Sequence, residues 1–214
     1  LKWFLNTNFR RALSHAVNQQ SIVDAVLLGH ATPHWGIVHV ANSKWRNQNI
    51  PTYPYNLDKA KEMLKQEGFI DENGDGFLED KEGNRVEFTI LTNTGNTRRE
   101  QIGNIVSSDF KKLGIEVQFK PIDFNLLVSK IQDTYDYEAM LLGLAGGDMD
   151  PCSGMNVWKS SGFTHYWWPE QEKPATWWEA KVDSLMDLQA TIVDYEKRKK
   201  IYDEVQYILS DQCP

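Results

Sequence analysis

Long apolar runs are missing from this 214-residue chain: no stretch approaches the roughly 20 residues that a membrane-spanning helix requires. Excess positive charge is missing too. With 23 Lys and Arg against 30 Asp and Glu, the formal net charge is −7, which excludes the basic face that nucleic acid or an anionic lipid surface demands. Only two cysteines occur, Cys152 and Cys213, too few for a disulfide framework, and the sequence leaves a single bridge and two buried thiols equally open. The histidines, His15, His30, His34, His39 and His165, are scattered without HExxH or His/Cys metal spacing. GxSxG, P-loop and dinucleotide fingerprints are absent, as are internal repeats and low-complexity tracts. The competing enzyme class is a glycosidase, with Asp148, Asp150 and Glu170 near tryptophans, and it needs two carboxyls at a defined separation.

What is present is an ordinary globular composition, 41% hydrophobic and 25% charged. Leu1-Lys2-Trp3-Phe4-Leu5 has neither an initiator Met nor a signal-peptide pattern. Cys213-Pro214 follows directly on a helical stretch. Both ends read as cuts in a longer protein, and residues 1–214 are expected to form a single lobe.

Periodicity predicts a helix over 8–17 capped by Asn8, with Phe9, Ala12, Leu13 and Ala16 on one face, and a second over 21–28 ended by Gly29. Residues 30–55, with Pro33, Pro51 and Pro54, read as a wandering surface segment. A third helix over 57–68 follows a cap at Asn56. Val86–Leu91 alternates as a strand, 97–113 is helical, and Ile115–Phe119 alternates again. Strand, helix and strand within about 35 residues form a βαβ unit with a right-handed crossover. A short helix over 124–131, a strand over 137–142 and helices over 177–190 and 194–210 complete an α/β fold with a small mixed sheet flanked by helices.

Several of these segments, in this order, resemble a known family. Asn8-Phe9-Arg10-Arg11-Ala12-Leu13-Ser14-His15-Ala16-Val17-Asn18 and Ile22–Gly29 are similar to the opening helices of the C-terminal lobe of ABC-importer solute-binding proteins, family 5, the oligopeptide- and dipeptide-binding group. Tyr55-Asn56-Leu57-Asp58-Lys59-Ala60-Lys61 continues the match, followed by Lys112-Leu113-Gly114-Ile115 and a Gly-rich segment closing on Asp150-Pro151. The resemblance implies a type II periplasmic-binding-protein-like lobe and a monomer that binds a ligand and docks on ABC permease subunits. It implies a periplasmic or extracellular location, membrane-associated in lipoprotein-anchored relatives, and no catalysis.

Ligands of open α/β sheets sit beyond the carboxyl ends of the strands, which here selects Asn93, Asn96 and the segment Gly143–Pro151. In peptide-binding members of the family a carboxylate four residues before the proline pairs with the peptide's amino terminus. Here that position is Gly147, and Asp148 follows one place later. Trp158, Trp167, Trp168, Trp177 and Trp178 fall within 21 residues of one another. Indole faces suit sugar rings, with Asn156, Asp148 and His165 to bond hydroxyls. Together these features favour an oligosaccharide over an oligopeptide, with about half of the indoles expected to be structural.

Asp71-Glu72-Asn73-Gly74-Asp75-Gly76-Phe77-Leu78-Glu79-Asp80-Lys81-Glu82 matches the EF-hand loop pattern. Asp71, Asn73 and Asp75, the Phe77 carbonyl, Glu79 and Glu82 would ligate a structural Ca2+. The other reading is an acidic hairpin turn without metal.

Overall fold

A computed structural model of the chain describes residues 2–144 and 149–214. The chain divides into two compact units, Leu1–Pro33 with Tyr53–Gly143, and His34–Thr52 with Leu144–Pro214. The physical reason is that the apolar side chains gather into two separate cores.

In the first unit, α1 (Thr7–Ala16) starts at Asn6, whose side chain accepts from the N–H groups of Asn8 and Phe9. Asn8, the expected cap, instead donates to Glu67 at 2.6 Å. The second helix, α2 (Gln19–Ala25), is capped by Asn18 and ends four residues before Gly29. The third, α3 (Leu57–Gln66), has Asn56 as its cap, as expected from sequence. Phe9, Ala12, Leu13 and Ala16 of α1 and Ala60 and Leu64 of α3 are buried together, so the apolar stripes read from sequence are the packing faces.

Strand β1 (Glu87–Asn93), helix α4 (Thr97–Lys111) and strand β2 (Glu116–Ile122) form the βαβ unit. A short α5 (Phe124–Ser129) leads through an irregular turn to β3 (Ala139–Met140). The sheet order is β2-β1-β3, and both pairings are parallel, with Phe88 beside Val117 and Ile90 beside Ala139. The sheet expected to be mixed is therefore parallel throughout. Its central strand buries Phe88, Ile90, Leu91 and Thr92, as a strand covered on both faces must.

The second unit is built on α6 (Met155–Trp158), α7 (Trp177–Thr191) and α8 (Tyr195–Gln212). Trp178, Val182, Leu185 and Met186 of α7 pack on Tyr202, Val205, Ile208 and Leu209 of α8, with Val38 and Trp45 from the Pro-bounded segment completing the core. Asn47 ties that segment to α8 through its N–H on Gln206 Oε1 at 2.8 Å. Among the described residues no helix is long and apolar enough to cross a membrane.

Candidate functional site

The parallel sheet places the carboxyl end of β1 at Asn93 and that of β3 just before Gly143, where ligands of such sheets gather. Thr94 donates its N–H to Ile122 and Leu141 to Leu91, so the tips of the strands are held in register. Asn96 is the N-cap of α4: its side-chain oxygen accepts from the Arg99 N–H at 3.1 Å. Asn93 Oδ1 accepts from Arg99 Nη1 at 2.5 Å. Arg99 Nη2 lies 3.2 Å from where a Cβ on Gly143 would stand. The rim at the strand tips thus consists of Asn93, Arg99 and glycine backbone. Sequence reasoning selected Asn93 and missed Arg99, whose position in the first turn after a strand was the available signal.

The other candidate ligand residues belong to the second unit, except that Gly147 and Asp148 lie outside the described residues. Asn156, Trp158, His165 and Trp167 come together, but around each other. His165 has no exposed surface; its Nδ1 faces the Val157 carbonyl at 2.9 Å and its Nε2 faces Glu179 at 3.3 Å. Its ring lies against Trp167, tilted at 50° with centroids 3.8 Å apart, and Trp167 neighbours Trp158 and Trp178 at 6.4 and 6.1 Å. Asn156 Oδ1 accepts from the Phe163 N–H, and its carbonyl accepts from the N–H and hydroxyl of Thr164. Neither His165 nor Asn156 Oδ1 is left unengaged to receive a sugar hydroxyl. Trp168 and Trp177, at 56% and 70% exposure, are the indoles on the surface.

The hub of this cluster is Glu179, which the sequence did not single out as a site. One carboxylate oxygen accepts from Trp167 Nε1 at 3.1 Å and Gln171 Nε2 at 2.9 Å. The other accepts from the N–H and hydroxyl of Thr176 at 2.9 and 2.8 Å. Burial alone would raise the pKa of this carboxyl; the bonds from His165, Gln171, Thr176 and Trp167 outweigh it and bring it down to about 2. Thr176 and Glu179 form a capping box at the start of α7, and the other donors converge on the same carboxylate.

Of the carboxylates considered for glycoside hydrolysis, Asp148 lies outside the described residues and Asp150 is engaged. Asp150 holds Arg198 in a bidentate pair at 2.8 and 2.6 Å and accepts from the Cys152 N–H. Arg198 keeps its carboxyl below the ordinary range. The cysteines are free thiols, so no bridge joins Cys152 to Cys213.

In the 71–82 loop the side chains expected to bind calcium serve the turn. Asp71 accepts from the N–H groups of Gly74, Asp75 and Gly76, Asn73 from Asp75, and Asp75 from Phe77. Glu79 accepts from Glu72 N–H and Asn73 Nδ2, and Glu82 is drawn off to Lys2. Arg85 lies over the Phe77 ring with its guanidinium carbon 3.4 Å from the centroid, and reaches Glu116 at 3.0 Å. Among the described residues no group of three or more His, Cys, Asp or Glu converges on a metal position.

The bacterial extracellular solute-binding proteins, family 5, match residues 2–166. A probable ABC transporter-binding protein of Deinococcus radiodurans is 32% identical over 75% of this chain and 28% of its own length. The oligopeptide-binding protein AppA of Bacillus subtilis is 31% identical over 98% of the chain and 38% of its own length. The structure of that AppA in complex with a nonapeptide matches with a TM-score of 0.87 at 29% identity, covering 99% of this chain and 41% of AppA. The chain thus spans well under half of the length of these relatives. On the match to its family model and the ordered agreement of fold and sequence, this chain belongs to the bacterial extracellular solute-binding proteins of family 5.

Proposed function

We propose that the chain is the ligand-contacting part of an extracytoplasmic binding protein that captures oligopeptides and presents them to an ABC permease. It binds without catalysis. Ligand bridges the strand tips of the first unit and a second lobe outside this chain, so closure is favoured by contacts that only the closed form makes.

One observation carries the oligopeptide reading. The rim at the carboxyl ends of β1 and β3 offers the Asn93 amide and the Arg99 guanidinium, a pairing suited to carbonyl and carboxylate groups. His165 and the side-chain oxygen of Asn156, which would have bonded sugar hydroxyls, are engaged in internal bonds. The likeness to AppA along nearly the whole chain supports the same reading. A second reading, an oligosaccharide, rests on the exposed Trp168 and Trp177, whose flat faces suit sugar rings. The test is a thermal-shift screen of the full-length protein against random pentapeptides and against neutral di- to pentasaccharides. Stabilisation by peptides is expected; stabilisation by saccharides alone overturns the proposal.

A further inference from the structure

Arg99 sits where a helix least welcomes it. It occupies the first turn of α4 beside Arg98, with Glu100 as the only acidic residue of that turn. The amino-terminal end of a helix carries partial positive charge and favours anions. The guanidinium nevertheless has no carboxylate within ion-pair range among the described residues; its bond is to the neutral amide of Asn93. Two other arginines do have acid partners: Arg85 pairs with Glu116 and Arg198 with Asp150.

The surroundings fix this cation in place. Asn93, the last residue of β1, holds Nη1, and the N–H of Arg99 itself is bound by the Asn96 cap. Gly143 supplies the space: a Cβ there would come within 3.2 Å of Nη2, closer than most such contacts, so the guanidinium would have to give way. A partly buried, positioned arginine at the strand tips, without a carboxylate partner among the described residues, is costly for stability and useful for binding.

We infer that Arg99, oriented by Asn93 and given room by Gly143, is the seat for a ligand carboxylate, so that this protein selects oligopeptides carrying a free C-terminal or side-chain acid near the tips of β1 and β3. This inference rests on the oligopeptide reading and names the group that decides specificity within it. A charge-assisted pair with a carboxylate is stronger than the neutral bonds that an amide would make in its place.

The experiment uses the full-length protein and random pentapeptides without acidic side chains, prepared as free acids and as C-terminal amides, with affinities read by calorimetry. The free acids are expected to bind about 10- to 100-fold more tightly than the amides. Arg99→Gln is expected to reduce that ratio to within about threefold, weakening the free acids far more than the amides, and Gly143→Ala to reduce it partly by displacing the guanidinium. Equal binding of acids and amides by the native protein overturns the inference and leaves the oligopeptide reading intact. Binding of saccharides and no peptide overturns both. Should Arg99→Gln fail to fold, the native acid-to-amide ratio and the Gly143→Ala protein decide: an unchanged ratio in Gly143→Ala, like a retained ratio in Arg99→Gln, counts against Arg99.

Discussion

Replacing Glu179 by Gln tests whether its carboxylate is the keystone of the indole cluster. Gln keeps the volume, so no cavity confuses the result. Its amide can present an oxygen to one set of donors, but its NH2 then faces the other, either Thr176 or the Trp167–Gln171–His165 side. Each buried donor left without an acceptor costs about 1–3 kcal/mol. Titration gives a second route to the magnitude. Lowering the pKa from 4.5 to about 2 amounts to about 3 kcal/mol of folding stability at neutral pH, at roughly 1.4 kcal/mol per unit. Both routes give a loss of about 3 kcal/mol for Glu179→Gln at pH 7. Because the folded pKa lies below the unfolded one, this contribution is complete above about pH 4.5 and is lost as pH falls towards 2. Urea unfolding of the full-length protein, followed by tryptophan fluorescence, reads the difference directly. The gap between native and variant should narrow steadily from pH 5 downwards. A loss under about 1 kcal/mol at pH 7, or a gap independent of pH, refutes the reasoning.

Other perturbations separate structure from binding. Trp167→Ala removes a packed indole and strands a Glu179 bond, and should cost about 3–5 kcal/mol; Trp168→Ala, on an exposed ring, should cost under about 1 kcal/mol by the same urea assay. Gly162→Ala places a Cβ 2.1 Å from the Asn156 carbonyl oxygen, a backbone clash that should cost about 2 kcal/mol or more and shift the near-ultraviolet dichroism of the neighbouring indoles. Because the 71–82 oxygens are engaged in the turn, about 1 mM calcium, within the range of weak extracellular sites, should leave the melting temperature of the EDTA-treated protein unchanged. A calcium-dependent rise would favour the metal reading of this loop over the metal-free turn.

The sequence by itself determined the local elements. Apolar residues at helical spacing defined the buried faces of α1 and α3, alternation marked β1 and β2, and Asn56 announced its helix, because each of these signals acts between residues a few positions apart. One boundary slipped: at α1 two asparagines stand close together, the cap is Asn6, and both side-chain amides also donate to Glu67, a residue far away in sequence. Tertiary structure decided what the functional residue types are for. Five tryptophans in one span suit a sugar platform or a core equally well, and only the folding of α7 beneath Trp167 and His165 commits Glu179 to them. The calcium pattern likewise specifies a turn, while Lys2 and Arg85, distant from it in sequence or beyond its end, decide where the acidic side chains go. Arg99 was one charged residue among many until the parallel sheet brought Asn93 and Gly143 beside it. Periodicity records which side of an element is apolar; whether a polar group meets a partner or is left facing a crevice depends on residues that only the folded chain brings within reach.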